Sequence, residues 1–362
     1  MKTLNFGFGL TKDGSIKENR RVTKKNILVC PLDWGLGHAT RCVPLINHFL
    51  KEGHQVIMGA DKNPMAFLKQ EFPQLTTVVI PGYEVDYGEK GSSLKLFYES
   101  VKFHNFIKKE KQFIDTFLFE NKIDMIVSDN RYGLYSDKVE SIIITHQLYP
   151  KTPVGEKIVH QKIQQLLNNF NSVWIPDYEG EDNLSGDLSH FKPFPHQHHF
   201  IGPLSRFVKP TQLPKVEYDV CAVISGPEPQ RTIFEELLMK QIKELKLNAI
   251  IVRGLPKENS NNDKNVFNHL QTQEMQEYIL KSDVVVCRAG YSSIMDLSVL
   301  GKKALLVPTP GQTEQEYLAQ YHFEQGNFHT QKQEEFNLKN ALIEIEKFTP
   351  KFNYSLKQLS LP

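Results

Sequence analysis

Short apolar runs rich in β-branched residues, each followed by a polar turn and then by helically spaced apolar positions, recur along the chain. Ile27-Leu28-Val29-Cys30 is the first, entering the glycine turn Asp33-Trp34-Gly35-Leu36-Gly37-His38-Ala39-Thr40-Arg41. From about Thr40 to Glu52, Val43, Ile46, Phe49 and Leu50 fall on one side of a helix, Gly53 stops it, and Gln55 to Met58 reads as the next strand. Met125 to Val127 runs into Ser128-Asp129-Asn130-Arg131, and Ser141 to Ile144 into Thr145-His146-Gln147. Later, Val220 to Ile224 leads into Ser225-Gly226 and a helix from about Gln230, and Val284-Val285-Val286 into Arg288-Ala289-Gly290 and another helix. Ala304 to Val307 ends at Pro308. Strands alternating with helices predict an α/β protein with parallel sheets.

The stretch Cys287 to Gln320 carries the densest chemistry. Gly290 permits close backbone approach, Ser292 or Ser293 can cap the following helix, and the free N–H groups of its first turn suit a phosphate. Asp296 is placed either as a cap partner or to accept hydrogen bonds from two sugar hydroxyls. The loop after Pro308 delivers Gln315-Glu316, so two polar clusters sit at the carboxyl ends of neighbouring strands, where open α/β sheets bind ligands. A first-turn Asp is ordinarily a cap and a lone Arg after a strand is ordinarily solvated; only their order together is specific.

That order resembles the nucleotide-binding half of MurG-like glycosyltransferases, which carry Arg-(Ser/Ala)-Gly, an acidic residue six positions after the Gly, and a later Gln-Gln pair. Here Asp296 is one methylene shorter than a Glu, and Glu316 replaces the second Gln. The resemblance implies two Rossmann-like domains facing across a cleft, the GT-B architecture. It implies a donor set of Arg288, Ala289, Gly290, Ser292, Ser293, Asp296, Gln315 and Glu316. Ser225 and Gly226 would lie against the diphosphate, and Arg206 enters from Ile201-Gly202-Pro203-Leu204-Ser205-Arg206, which resembles the family's Gly-x-Pro-x-Arg junction. In the amino half the glycine turn ending in His38 resembles one that faces the acceptor, and Thr145-His146-Gln147 stands where the family carries an HEQ stretch. Gly35, Gly37, Arg41, Asn130, Arg131 and His146 follow as acceptor-side residues. Thr40 replaces the third glycine of a dinucleotide turn, which argues against NAD.

An acceptor hydroxyl attacking an anomeric carbon must lose a proton, and an imidazole titrates near working pH, so His38 is a candidate base. Bracing the turn and touching an acceptor phosphate are the alternatives. Asp33 and Asp129 are rival bases, and either carboxylate can orient His38.

A length of 362 residues suits two α/β domains. Residues 1–24, polar and basic, read as an extension; 25–206 as the acceptor domain; 207–362 as the nucleotide-sugar domain, with the two prolines of Lys209 to Lys215 in the linker. A net charge of +1 without a strong basic block argues against nucleic acid, and no apolar run reaches membrane-spanning length. Cys30, Cys42, Cys221 and Cys287 form neither a disulfide framework nor a zinc pattern, which places the chain in a reducing compartment, the cytoplasm. His196-Gln197-His198-His199 lacks a matching carboxylate or Cys set, so no metal is expected; helix dipoles and Arg288 can offset diphosphate charge, and no cofactor is expected. Leu94 to Phe119 mixes aromatic residues with Lys95, Lys102, Lys108, Lys109 and Lys111 at helical spacing. It reads first as an amphipathic helix over the sheet, and second as a peripheral contact with the inner face of a membrane if the acceptor is lipid-linked. The reading is an inverting transferase moving a sugar, N-acetylglucosamine by resemblance, from a UDP-sugar. The rivals are a nucleotide-sugar hydrolase or epimerase and a non-catalytic nucleotide-sugar-binding protein.

Overall fold

The computed structural model describes residues 23–33, 35–82, 93–256, 264–351 and 359–362, with only the backbone of 93–101. All but the last two residues of the expected extension, and Trp34, lie outside them. The first unit runs β1 (Asn26–Pro31), α1 (Gly37–Lys51), β2 (Gln55–Ala60), α2 (Lys62–Glu71), β3 (Thr76–Val79), α3 (Ser93–Glu120), β4 (Met125–Asp129), β5 (Glu140–Ile144), α4 (Glu156–Leu167), β6 (Ser172–Ile175), α5 (Asp187–His190) and β7 (His198–Phe200). Its strands form a parallel sheet in the order β3-β2-β1-β4-β5-β6-β7. The second runs β8 (Tyr218–Val223), α6 (Gln230–Glu244), β9 (Ala249–Val252), β10 (Val266–Phe267), α7 (Thr272–Lys281), β11 (Ser282–Cys287), α8 (Tyr291–Leu300), β12 (Ala304–Leu306), α9 (Thr313–Glu324), β13 (His329–Thr330) and α10 (Leu338–Glu346). Its parallel order is β10-β9-β8-β11-β12-β13.

Strand order reverses between β1 and β4 in the first sheet and between β8 and β11 in the second. At such a switch point the loops leaving the two strands diverge to opposite faces and open a crevice. The register places Pro31 beside Asp129, and Val223 beside Cys287, so the glycine turn and the Arg288-Ala289-Gly290 turn each leave the sheet at a crevice.

The central strands read as continuous apolar runs because both faces are covered. Along β1, Ile27 and Val29 pack with Cys42, Val43 and Ile46 of α1, whereas Leu28 and Cys30 pack with Ile80, Ile114 and Ile126. Each such fully buried aliphatic side chain contributes about 1.5–3 kcal/mol. From residue 102 onward α3 buries Phe106 and Ile114 and exposes Lys108 and Lys109, as a helix covering the sheet does; Phe119, 87 % exposed, projects from its end. No described helix is long and apolar enough to cross a membrane. All four cysteines are buried and free.

The two units touch along the cleft. Ser292 Oγ donates to the Gly37 carbonyl at 2.8 Å, Tyr291 Oη to that of Pro176 at 2.9 Å, and Thr272 N and Oγ1 to Glu71 Oε1, each at 2.9 Å. Beyond the linker, Leu359 and Leu361 of the carboxyl tail also pack against the main core.

Four expectations change. α1 starts at Gly37 rather than near Thr40, which brings His38 into its first turn, and β4 continues through Asp129. The N-cap of α8 is Gly290, so Ser292 and Ser293 are first-turn residues and not caps. Arg131, expected on the acceptor side, is fully buried, with Nε 2.6 Å from Glu110 Oε1 on α3 and Nη2 donating to the Pro81 carbonyl at 2.8 Å. Removing one member of such a pair strands the other charge in the interior. Glu110→Ala should therefore cost about 3–5 kcal/mol, read as a large drop in the thermal midpoint; a midpoint within 1–2 °C of the parent would show that Arg131 finds water or another partner.

Candidate active site

Asp129 ends β4 with no exposure. Arg41 Nε donates to its Oδ2 at 2.7 Å, Arg41 Nη2 donates to Oδ1, and His38 Nδ1 lies 3.2 Å from Oδ2. Burial alone would raise this carboxyl, but the guanidinium, with His38, holds it below the ordinary Asp value. A charged carboxylate only accepts, so the His38 proton sits on Nδ1 and Nε2 keeps its lone pair. His38 is half-buried, at the mouth of the crevice. Asp129 is thus the carboxylate that orients the imidazole. Asp33 lies elsewhere, packed on Gly82, and burial raises its carboxyl against the opposing charge of Arg131.

Across the cleft, Glu314 in the first turn of α9 accepts from His146 Nε2 at 2.8 Å and from Gln147 Nε2. The His146 ring stacks on Tyr291, centroids 3.9 Å apart and planes 6° from parallel. Arg41, expected to meet the acceptor, is 2 % exposed and spent on Asp129, with Nη1 3.4 Å from His146 Nδ1. Asn130 takes a left-handed φ of 55° and is also buried. Gly35 turns the chain at φ 80°, and a Cβ on Gly37 would meet Ser292 Oγ at 3.0 Å, so the two glycines let α1 begin against α8. Neither α1 nor α8 has a side-chain cap, which leaves both positive helix ends open at the crevice. A Cβ at Gly290 would meet only open space.

On the carboxyl side the expected donor residues divide. Arg288 does not present its guanidinium end to the cleft: Nη1 donates to the carbonyls of Val307 and Pro308, each at 3.3 Å, and Nη2 to Gln230 O at 2.8 Å and Gln333 Oε1 at 2.7 Å, over the Phe234 ring. Burial pushes it down to about 10. Only its buried Nε lacks a partner, and the same is true of Thr309 Oγ1. A Cβ on Gly226, at φ 112°, would stand 4.0 Å from that Nε and 3.6 Å from that hydroxyl, so the glycine keeps a cradle clear beside two unspent donors. Ala289 is fully buried in the core and Ser293 is half-buried. Gln315 and Glu316 hold their own loop, accepting from Thr309 N and Gly311 N, each at 2.9 Å, instead of reaching the cleft.

Asp296 is no cap either; its Oδ1 accepts from Ser205 Oγ at 2.6 Å. Beside it Arg206 lies over Phe67 and Phe207, 5.4 and 4.9 Å from the ring centroids, and its Nε and Nη1 are buried without a partner. Burial lowers Arg206. His269, edge-on to Phe67 at 5.5 Å, adds a third unspent nitrogen, Nε2, and burial pushes it down to about 4.

Residues 223–358 match the glycosyltransferase family 28 C-terminal domain. The chain is a glycosyltransferase, and its carboxyl half is similar to the family 28 C-terminal domain. An uncharacterized glycosyltransferase of Methanosarcina acetivorans is 25 % identical over 319 residues, 81 % of this chain and 82 % of that one. The UDP-N-acetylglucosamine--N-acetylmuramyl-(pentapeptide) pyrophosphoryl-undecaprenol N-acetylglucosamine transferase of Caldanaerobacter subterraneus subsp. tengcongensis is 29 % identical over 133 residues, 33 % of this chain and 36 % of that one. Among solved structures, Arabidopsis thaliana UGT89C1 complexed with UDP-L-rhamnose superposes with a TM-score of 0.58 at 13 % identity, covering 92 % and 91 % of the two chains. CalG4, the calicheamicin glycosyltransferase, gives 0.57 at 12 %, covering 89 % and 90 %. These likenesses carry the fold, which is GT-B.

In this glycosyltransferase the sequence reading missed Glu314, Tyr291, Thr309 and His269. Glu314 directly precedes the Gln315-Glu316 pair that was singled out, and a helix turns 100° per residue, so only the start of α9 tells which side chain faces the cleft. Burial raises Asp296 to about 6, against the opposing charge of Arg206. The folded chain then binds this proton more tightly than the unfolded chain, whose Asp titrates near 3.8, so stability falls as pH rises from about 4 to about 6 and stays lower above. Asp296→Asn should raise the thermal midpoint at pH 7–8, with the gain shrinking toward pH 4; a loss of stability at pH 8 would mean that the carboxylate is a net stabiliser there.

Proposed function

We propose that this glycosyltransferase moves a sugar from a UDP-sugar to an acceptor hydroxyl with inversion, the acceptor bound at the amino domain and the donor at the carboxyl domain. The observation that carries it is the His38–Asp129 contact at the crevice, in the uncapped first turn of α1 and facing the uncapped N-terminus of α8. N-acetylglucosamine is the proposed sugar and a lipid-linked molecule the proposed acceptor. The name of the Caldanaerobacter relative supports both, and Lys108, Lys109 and Phe119, exposed on α3, support a peripheral membrane contact.

The acceptor oxygen attacks the anomeric carbon from the face opposite UDP. As that C–O bond forms, its proton passes to Nε2 of His38 and the bond from the anomeric carbon to the phosphate oxygen breaks. Asp129 supports the imidazolium that results. Charge on the departing diphosphate falls toward the uncapped first turn of α8, Gly226, Thr309 and the Nε of Arg288, donors already in place before reaction. In this reading Arg206, whose Nε and Nη1 lack partners, and the neighbouring Asp296 meet the nucleoside.

UDP at a hundredfold its dissociation constant should stabilise the chain by about 2.7 kcal/mol in a thermal-shift assay. His38→Ala should leave UDP affinity nearly unchanged and lower turnover by about 10² to 10⁴. The parent kcat/KM should show an imidazole limb that the mutant lacks. Turnover within threefold of the parent would leave His38 as a turn brace, and release of free sugar without acceptor would make the enzyme a hydrolase.

A further inference from the structure

His38 and Arg41 are three residues apart on α1 and therefore share one helix face, and both reach the single carboxylate of Asp129. Arg41 is almost wholly buried, and it is placed between two histidines of the amino half, His38 on α1 and His146 after β5. Its Nε and Nη2 grip the two oxygens of Asp129, and its Nη1 lies 3.4 Å from Nδ1 of His146. A guanidinium has donors only. Nδ1 of His146 must then be the acceptor, which leaves its proton on Nε2, the atom 2.8 Å from Glu314 Oε1 of the facing domain. By the same logic the charged Asp129 keeps the proton of His38 on Nδ1.

We propose that Arg41 is the positioning residue of the base: through three donors on one rigid fork it fixes the proton of His38 on Nδ1 and that of His146 on Nε2. Resting on the reading of His38 as base, this makes one side chain answerable for the free lone pair that takes the acceptor's proton and for the donor-domain contact made by Glu314. Arg41 itself touches neither substrate. A lysine at this place keeps the charge beside Asp129 but not the fork, because an ammonium is a point charge without the planar donor geometry. The other titratable groups around this carboxylate and guanidinium are Cys42 on α1, Tyr132 after β4, Tyr291 on α8 and Glu314 on α9, together with His146. Of these only Glu314 is an acid in its ordinary charged form, and it is engaged by His146 and Gln147.

Arg41 is the chief charge holding Asp129 below the ordinary Asp value, so its removal moves the acid limb set by the Asp129–His38 pair to higher pH.

The test has two arms. In the full chain with histidines labelled by nitrogen-15, the nitrogen shifts at pH 8 should show His38 protonated on Nδ1 and His146 on Nε2; His146 protonated on Nδ1 would overturn the proposal, with no variant needed. In kinetics, Arg41→Gln should move the acid limb of kcat/KM up by about one pH unit or more, and lower kcat more than it changes KM. Arg41→Lys should return the limb to its parent position while kcat stays about 10- to 100-fold down. A limb that does not move in Arg41→Gln, in protein shown folded by circular dichroism, makes the residue merely structural. Should that variant not fold, the nitrogen shifts of the parent and the Lys variant decide, since loss of the fork must free His146 to change tautomer. A parent with no imidazole limb would instead sink the assignment of His38 as base and leave the tautomer prediction standing.

Discussion

Asp129 is an anion with no exposure at the end of a central strand, and the amino half of the cleft is organised around keeping it charged. Taking a carboxylate out of water costs several kcal/mol even after the surroundings relax, so it must be met by donors of matching geometry. β1 and β4 supply the place, because their register sets Pro31 beside Asp129 and sends the glycine turn over the carboxyl end of β4. The turn then has to bring the start of α1 back across that end within a few residues. Gly35, at φ 80°, takes a conformation that other residues strain to adopt. With α1 so placed, residues 38 and 41 are the ones on the facing turn, and they are a His and an Arg. Sheet order, turn and helix start therefore serve one electrostatic requirement.

The carboxyl half solves the mirror problem. At its own switch point it buries a cation, Arg288, and satisfies it with three carbonyls, one amide oxygen and the face of Phe234. What remains unspent, one Nε beside Thr309 Oγ1 over Gly226, faces a space with no Cβ in it. An anion held deep on one side and a cation on the other suit the charges of the proposed reaction, in which a proton goes to the amino half and a diphosphate stays with the carboxyl half. The partnerless nitrogens of Arg206 and His269 lie buried beside Phe67, where polar groups without a partner are costly unless a bound molecule supplies what they lack.

Much of this was legible in the residues. The apolar runs at Ile27, Met125, Val220 and Val284 are all strands, and His38, Asp129 and Gly226 stand at or just beyond the carboxyl ends of β1, β4 and β8. Three of the buried arginines were harder. Arg41, Arg131 and Arg288 each follow a strand or a turn, where a sequence reading places ligand contacts, yet each spends most of its donors on the fold. The difference lies in partners remote along the chain: Asp129 for Arg41, Glu110 for Arg131, Gln333 for Arg288. A long side chain can swing into the cleft or under it, and only the position of a distant partner decides. Glu314 was lost by a finer margin, one residue of helix phase.

The first turn of α8 shows how ligand and domain contact coexist at one place. Its side chains are committed across the cleft: Tyr291 stacks on His146 and donates to Pro176, and Ser292 donates to Gly37. Its backbone N–H groups are uncapped and Gly290 leaves the approach to them open. Had either Ser292 or Ser293 served as the cap, as the sequence invites, one of those N–H groups would be occupied and the helix end partly neutralised. Moving the cap to a glycine frees the backbone for an anion, and it frees the serine hydroxyl for the amino domain. The same turn can then register that the domains are together and hold the charge that leaves when they are.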